Sequence, residues 1–555
     1  MRRRTLLQVA AASAVAACMP NAPGGDPTVD LSLERKVGQL MSVAFHGKAI
    51  TGALEAMIRK RGVGGVVLYA ENFADASALA KLINDLSRIA REANVPPLFF
   101  EIDHEGGAVQ RIAKGATILP GQMALAATPD PERSVRVAAG VAAAELRAFG
   151  VNWNFAPDAD VNDEPANPII GNRSFSSDSA RVATLVTTAV RTYADAGFLC
   201  CVKHFPGHGS TTVDSHSGLP KIEADRATIE RIHVPPFRAA IAAGVPAVMT
   251  AHIVVPALDP TPDLPVTLSA PVLEGLLRGQ LGFDGVIITD DLEMGALARI
   301  GQPEAALRAL QAGADFLLFR FDESAQVEGH RRIVDAVRTG ALPSARVDAS
   351  VRRVLDLKRR FGVLEGRRET ASPDFAANTR AALDLARDGV TLLRNRGVLP
   401  LRGSAVVAAP ANADPSVLEG QPSLGTVIAR KRPDATVLNL PLRPSGADIE
   451  RVVAAARTAD VAVVGTTDLF TYSEQVQLLR AVMREKPVVM VSLRGPYDLL
   501  TVGDVPACLC TYGAREPSLV AASEVLFGER KPVGALPVDV PGLFRIGAGM
   551  RDFRE

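Results

Sequence analysis

Five of the eight histidines in the 555-residue chain, His104, His204, His208, His216 and His252, stand where apolar, β-rich runs give way to polar loops. Carboxylates and cations accompany them. One run ends Phe99-Phe100-Glu101-Ile102-Asp103 and continues His104-Glu105-Gly106-Gly107. Others end at Asp158 and Asp160, at Lys203-His204, at His252 and at Asp290-Asp291. Any one strand-terminal aspartate is equally well a helix N-cap. Five polar clusters, each closing an apolar run, point instead to one shared site.

The longest cluster reads Lys203-His204-Phe205-Pro206-Gly207-His208-Gly209, followed by Asp214-Ser215-His216-Ser217-Gly218-Leu219-Pro220. Two chemistries compete for it. His208, His216 and Asp214 could ligate a metal, since imidazole and carboxylate are ordinary ligands. Against that, no ligand pair with helix spacing is present. Alternatively, Asp214 orients His216 as an acid/base couple. A carboxylate bonded to one imidazole nitrogen fixes the tautomer and leaves the other nitrogen to move a proton. With Asp290 as a carboxylate across the site, the set holds a nucleophile and a proton donor, the pair that retaining glycoside hydrolysis requires.

The elements that must position these groups repeat regularly. Short apolar runs occur at Val37–Phe45, Val63–Tyr69, Pro97–Asp103, Val151–Asp160, Phe198–Pro206, Ala247–Val255, Asp284–Asp291 and Asp315–Phe321, each followed by a helical stretch. Eight strand–helix units predict an α/β protein with a (β/α)8 TIM-type barrel, whose catalytic groups gather at the C-terminal ends of the strands. A doubly wound sheet is the alternative, but no Gly-x-Gly-x-x-Gly follows an early strand. A polar, turn-rich stretch begins at Gly366. Beyond it, runs at Val406–Ala409, Thr436–Leu440, Val461–Gly465, Pro487–Leu493 and Ala507–Tyr512 predict a smaller α/β sandwich. The predicted division is a barrel over residues 30–365, a linker and lead-in over 366–385 and the sandwich over 386–555.

Four segments resemble glycoside hydrolase family 3, and in particular its β-N-acetylglucosaminidase branch. They are Ile102-Asp103-His104-Glu105-Gly106-Gly107-x-Val109-Gln110-Arg111; Asn167-Pro168-Ile169-Ile170-Gly171-Asn172-Arg173-Ser174-Phe175; Lys203 to Gly209 with Asp214-Ser215-His216; and Thr289-Asp290-Asp291-Leu292-Glu293-Met294. The resemblance covers the barrel, and the two-domain layout is similar to longer exported members of the family. It implies Asp290 as the nucleophile forming a covalent glycosyl-enzyme, and His216 as acid/base with Asp214 as its partner. It implies Asp103, Arg111, Arg173, Lys203 and His204 as the grip on the non-reducing-end sugar. Asp291 is expected to be structural, because neighbours on a strand face opposite ways. His104 and Ser176 depart from the family's usual Gln and Gly. The Asp-x-His loop marks the branch acting on terminal β-linked N-acetylglucosamine, from peptidoglycan fragments or chitin-type oligosaccharides. No metal or cofactor is implied. The rivals are a phosphorolytic relative, a β-glucosidase or xylosidase, a metal-dependent hydrolase and an inactive cell-wall-binding lipoprotein. The intact Asp290, His216 and Asp214 speak against the last.

Composition agrees with a folded enzyme. Hydrophobic residues at 47% and charged residues at 22% exclude a mainly disordered or polytopic membrane chain. Lys+Arg and Asp+Glu both total 61, so no overall positive field favours nucleic acid. Nothing in the sequence calls for an obligate protein partner. Arg2-Arg3-Arg4 precede an apolar run from Thr5 to Ala17, too short to span a bilayer and ordered like an export signal. It ends Val15-Ala16-Ala17-Cys18, resembling a lipoprotein cleavage box with Cys18 lipidated; an ordinary signal with an incidental cysteine is the competing reading. Residues 1–17 are thus the predicted signal, and 18–29 the lipidated cysteine and flexible tether. This predicts an exported protein held to a membrane by lipid alone, facing the periplasm or cell exterior. The remaining cysteines, Cys200, Cys201, Cys508 and Cys510, lie in apolar runs and read as buried thiols.

Overall fold

The computed structural model describes residues 31–366, 372–413 and 421–554; the export signal, Cys18 and the tether lie outside them. The eight expected strands are present and parallel: Met41–Val43, Gly65–Val67, Phe99–Ile102, Trp153–Asn154, Leu199–Cys200 continuing as Val202–Phe205, Ala247–Thr250, Val286–Ile288 and Leu317–Phe319. The eighth pairs with the first (Met41 opposite Leu317), and a parallel bridge between Ile288 and Phe316 joins the seventh to the eighth. The circuit is therefore closed into a (β/α)8 barrel. One boundary differs from the sequence expectation. Residues Leu33–Gln39 form a helix capped by the Ser32 hydroxyl, so only the second half of the Val37–Phe45 run is strand.

The barrel interior is filled by rings. Trp153, the single tryptophan, lies 4.7 Å from Phe99, 5.4 Å from Phe155 and 5.6 Å from Phe316, measured between centroids. The outer helices follow simple rules. Ala76–Glu92 starts at Asp75, whose carboxylate accepts from the Ala78 N–H, and it buries Leu79, Leu82, Ile83, Leu86, Ile89 and Ala90 on one face. All four cysteines among the described residues are buried free thiols, as expected.

A second sheet has the strand order Thr391–Asn395, Ala507–Cys510, Val488–Ser492, Val461–Thr466, Ala405–Pro410, Thr436–Leu440. The first of these is antiparallel to its neighbour and was not foreseen; the other four pairings run parallel. Apolar clusters cover both faces of this sheet, giving the expected sandwich. Part of the predicted lead-in is helical: Phe375–Gly389 lies against the barrel, with Phe375 stacked on Phe149 and Asn378 Nδ2 bonded to Glu145 at 2.8 Å.

The seam between the seventh and eighth strands is pinned by one buried carboxylate. Asp315 Oδ1 accepts from Ser350 Oγ at 2.7 Å, Arg353 at 3.2 Å and Arg346 at 3.3 Å, while Oδ2 takes Arg278 and the Ile287 N–H at 3.1 Å. Removing it leaves three guanidinium groups without their counter-charge. Asp315→Ala should therefore cost roughly 3–5 kcal/mol, as breaking a buried ion pair does. Denaturant unfolding of the two proteins measures this, and a loss well under ~1 kcal/mol would show that the seam does not depend on Asp315.

Candidate active site

A cavity of 510 Å³ opens at the C-terminal ends of the barrel strands, and every substrate-gripping or catalytic residue singled out in the sequence lines it: Asp103, Arg111, Arg173, Lys203, His204, Asp214, His216 and Asp290. They arrive from the ends of the third, fourth, fifth and seventh strands and the loops after them. Of the five strand-end histidines, His204, His208 and His216 reach the cavity, whereas His104 and His252 are buried behind its wall.

The floor is a continuous chain of charges. Lys203, whose side chain is 2% exposed, donates from Nζ to Asp103 Oδ1 at 2.6 Å and approaches Glu105 Oε1 at 2.7 Å. Arg173 takes the same Glu105 in a two-pronged grip, Nε to Oε2 at 3.0 Å and Nη2 to Oε1 at 2.9 Å. Arg173 Nη2 also lies 3.2 Å from His204 Nε2, and His204 Nδ1 lies 2.7 Å from Asp160 Oδ2. Since a guanidinium only donates, His204 Nε2 accepts and its proton sits on Nδ1, facing Asp160. Arg111 closes the chain at 3.5 Å from Asp103 Oδ2.

These contacts decide which groups are charged. Burial alone would raise Glu105, but Arg173 and Lys203 outweigh it and hold the carboxyl down to about 2. Burial likewise opposes Asp103, yet Lys203 and Arg111 keep it below the ordinary carboxylate range. Asp158 and Asp160 lie side by side and cannot both ionise. Burial and the Asp160 charge push Asp158 up, while His204 keeps Asp160 ionised against its own burial. The donor atoms of Asp158, Asp160 and His204 lie within 4.8 Å of one another, a spacing that would suit a cation. Asp160 and His204 are already paired, and the one buried oxygen of the three without a hydrogen bond, Asp158 Oδ2, is faced by a cation of the protein itself. Asp160 takes His204 and the His208 N–H (2.6 Å), and the Arg173 guanidinium stands 3.7 Å from Asp158 Oδ2, where a metal would repel it. This is a hydrogen-bonded buttress, not a ligand set.

The proposed acid/base couple is built differently. His216 Nδ1 and its own backbone N both lie 2.8 Å from Asp214 Oδ1, and the two side chains are 52% and 35% exposed. The bond to Asp214, helped by the negative Asp290, raises the imidazole above its usual value, and the same bond lowers Asp214. The loop is exposed but anchored at both ends. His208 bonds to Thr211 and Ser215 at 2.8 and 3.0 Å, and the carbonyls of Ser215 and His216 accept from Ala296 and Gly295, just beyond the seventh strand. Asp290 itself is held below the usual range: burial opposes this, but His204, His252 and the Asp291 N–H at 2.8 Å outweigh it. The site thus holds an ionised carboxylate and a protonatable imidazole on one cavity.

Asp291 does not turn away from Asp290 as strand alternation predicts. The seventh strand ends at Ile288, so the pleat no longer governs these residues, and both aspartates line the cavity. Asp291 also has a structural part, accepting from the Glu293 N–H at 2.9 Å and giving its carbonyl to His252 Nε2 at 3.0 Å. Burial lifts its carboxyl to about 7. Sequence reasoning also passed over Glu105, whose position two residues beyond Asp103 was the available signal. Tyr69 and Arg320 form a further wall, with the Arg320 guanidinium 5.1 Å from the Tyr69 ring. Asp468, Thr471, Tyr472 and Arg494 reach the cavity from the second domain, where no motif announced them.

Comparison with known proteins places this geometry. The sequence profile of the glycosyl hydrolase family 3 N terminal domain matches residues 32–357, and that of the family 3 C-terminal domain matches residues 390–543. Beta-hexosaminidase A of Pseudoalteromonas piscicida is 32% identical over 546 residues, covering 88% of this chain and 91% of that one. A beta-N-acetylglucosaminidase/beta-glucosidase of Cellulomonas fimi is 30% identical over 556 residues, covering 92% and 94%. The solved structure of a glycoside hydrolase family 3 beta-N-acetylglucosaminidase from Paenibacillus sp. str. FPU-7 superposes with a TM-score of 0.87 at 35% identity, over 92% of this chain and 99% of that one.

The Asp214–His216 bond has a direct readout. Replacing Asp214 with Asn removes the charge that favours the imidazolium, so the His216 pKa should fall toward the ordinary histidine value and its titration should move to lower pH. Imidazole resonances followed by NMR through the titration check this. An unmoved His216 would show that Asp214 does not tune it.

Proposed function

The chain belongs to glycoside hydrolase family 3, and from that premise we infer a retaining exo-β-N-acetylglucosaminidase that removes terminal β-linked N-acetylglucosamine. The observation that carries the residue roles is the Asp214–His216 couple sharing one cavity with an ionised Asp290.

The terminal sugar enters the deep end, where Asp103 accepts from its hydroxyls and Arg111 donates. Lys203 Nζ has three protons; two face Asp103 and Glu105, and the third is free for a sugar oxygen. Asp290 attacks the anomeric carbon as the glycosidic C–O bond breaks, and the departing oxygen takes the proton from His216 Nε2. The sugar is then an ester of Asp290, and His216 is neutral. In the second step His216 takes a proton from water, whose oxygen attacks the same carbon and releases the Asp290 carboxylate. Two inversions leave the β configuration unchanged. Asp214 serves both steps, because it keeps the Nδ1 proton in place while Nε2 loses and regains its own. The chemistry needs His216 protonated at rest, which agrees with its raised pKa.

The Cellulomonas fimi relative carries two activities in its name, so the decisive assay is a panel of aryl β-glycosides: N-acetylglucosaminide, glucoside and xyloside. The N-acetylglucosaminide should be the best substrate, yielding the free sugar, and no sugar 1-phosphate, with or without phosphate. Asp290→Asn should abolish turnover without unfolding the barrel. His216→Ala should lower kcat/KM more for a disaccharide than for a nitrophenyl glycoside, because nitrophenolate leaves without protonation. A preference for glucoside, or equal losses on both leaving groups, would sink the reading.

We further propose that the protein acts outside the cytoplasm as a membrane-anchored lipoprotein, on peptidoglycan fragments or chitin-type oligosaccharides. The charged-then-apolar order of residues 2–17 and the cysteine that follows support this. Lipid attached at Cys18 contributes ~0.8 kcal/mol of membrane affinity per buried methylene, so several chains anchor firmly where one does not. Cys18→Ser should release the protein from the membrane with activity per molecule unchanged. Detergent phase partitioning tests this, and wild-type protein found wholly in the soluble fraction would replace the lipoprotein reading with an ordinary export signal.

A further inference from the structure

Arg515 belongs to the second domain and does not line the cavity, yet it is 2% exposed and its guanidinium is lodged in the barrel. Its Nε donates to the Gly107 carbonyl, and its Nη2 donates to the carbonyls of Ala108 at 3.1 Å and Gln110 at 3.3 Å. Those three carbonyls form the turn between Asp103 and Arg111, two of the residues that meet the sugar. Within the barrel the turn is held at the Gly107 N–H, which donates to the Leu119 carbonyl at 2.8 Å, and through the Gln110 amide, which bonds to the Thr117 carbonyl and the Leu119 N–H. Arg515 takes the carbonyls on its other side. Gly106 and Gly107 adopt φ of +89° and +57°, and a Cβ on either would fall 2.6 Å from backbone atoms of Pro120 or Gly121. Its two short strands, His104–Gly106 and Val109–Gln110, form a sheet that has no further strand among the described residues. A turn that must use glycine for its shape also inherits glycine's freedom, and something outside it must remove that freedom.

The second domain reaches the other arginine-bearing loop from the same place. Three residues before Arg515, the Tyr512 carbonyl accepts from Asn172 Nδ2 at 3.0 Å, next to Arg173. Arg494 donates to the Pro168 carbonyl at 2.6 Å, beside Ile169, whose own carbonyl accepts from Arg173 at 3.3 Å. The segment 511–515 is itself fixed, since Thr511 bonds to Ser492 and Gly513 and the Tyr512 hydroxyl to Thr391 at 2.8 Å. One rigid segment of the sandwich therefore braces the loops that carry Arg111 and Arg173.

We propose that Arg515 is a positioning residue for the hydrolytic reaction: it fixes the turn leading into Arg111 and so sets the barrel's grip on the terminal sugar, without touching that sugar. The inference rests on the sugar-binding role given to Arg111 and Asp103. It assigns the second domain a task in catalysis that needs none of its side chains to reach the reacting atoms.

The test compares wild type, Arg515→Ala, Arg111→Ala and the double variant on the full chain, with an aryl N-acetylglucosaminide as substrate and free N-acetylglucosamine as inhibitor. Arg515→Ala should raise KM and the sugar's inhibition constant together by about tenfold or more, with kcat changed by a smaller factor and the melting temperature little altered, because a loosened turn misplaces its binding group. In the Arg111→Ala background the same change should add little, since the two act through one another. Methylguanidinium in the assay should restore part of the lost affinity to Arg515→Ala and leave wild type unchanged. If Arg515→Ala fails to fold, Arg515→Lys keeps the buried cation but loses the planar fork; a folded lysine variant should then show a raised KM. An unchanged KM and inhibition constant in a folded variant, or losses that simply add to those of Arg111→Ala, would overturn the proposal. Should wild type prefer another aryl glycoside, the comparison is run on that substrate with its sugar as inhibitor, so an incorrect sugar assignment and an idle Arg515 give different results.

Discussion

One almost fully buried ammonium group organises the catalytic floor. Lys203 is shared by Asp103 and Glu105 at 2.6 and 2.7 Å, and neither carboxylate could stay ionised there unpaired. Glu105 in turn anchors Arg173, Arg173 orients His204, and His204 settles which of the two adjacent aspartates keeps its charge. Each link takes its protonation state from its neighbour. The sugar therefore meets donors and acceptors that are already fixed, and little reorganisation is left for the moment of reaction. The proposed acid/base couple stands apart from this chain, on an exposed loop, where His216 can change its proton state without disturbing the buried pairs.

Much of this was legible in the sequence, for a physical reason. Barrel strands are short and fully buried, so they read as apolar runs, and polar residues at their C-terminal ends stand out. Asp103, Lys203, His204, Asp214, His216 and Asp290 were found that way and share one cavity. Glu105 escaped assignment because its role depends on Lys203 and Arg173, which meet it only in the fold. Asp291 has the structural part expected of it, but its direction was misjudged because strand alternation was extended past Ile288, where the strand ends. The strand Thr391–Asn395 was missed because it ends in Arg394 and Asn395 and owes its form to its antiparallel partner, Ala507–Cys510. Arg494 and Arg515 carried no local signal, since the carbonyls they hold lie more than 300 residues away.

The two domains divide the labour unequally. The barrel supplies the proposed nucleophile, the proposed acid/base and the buried charges, while the sandwich supplies part of the mouth through Asp468, Thr471, Tyr472 and Arg494. Tyr472 is itself steadied, with the Arg443 guanidinium 5.1 Å from its ring and bonded to Glu474 and to the Thr471 carbonyl at 3.0 Å. Contacts between the domains run largely from side chains to backbone carbonyls, so they fix loop shape more than they exchange charge.

The cavity lies at the ends of the barrel strands over a floor of paired charges and packed rings, and for the proposed reaction this imposes an order of events. In the proposed mechanism the outer part of a bound oligosaccharide lies nearer the mouth than the sugar being cleaved, so it departs first, while the terminal sugar is held in the proposed ester at Asp290. Water can then enter by the vacated path, and the freed monosaccharide leaves by that path last. The shortened chain cannot slide forward for a second cut, because its place is blocked until the cycle is complete. Such a pocket trims chains one unit per encounter, and its output is a monosaccharide together with a series of progressively shorter, fully released intermediates.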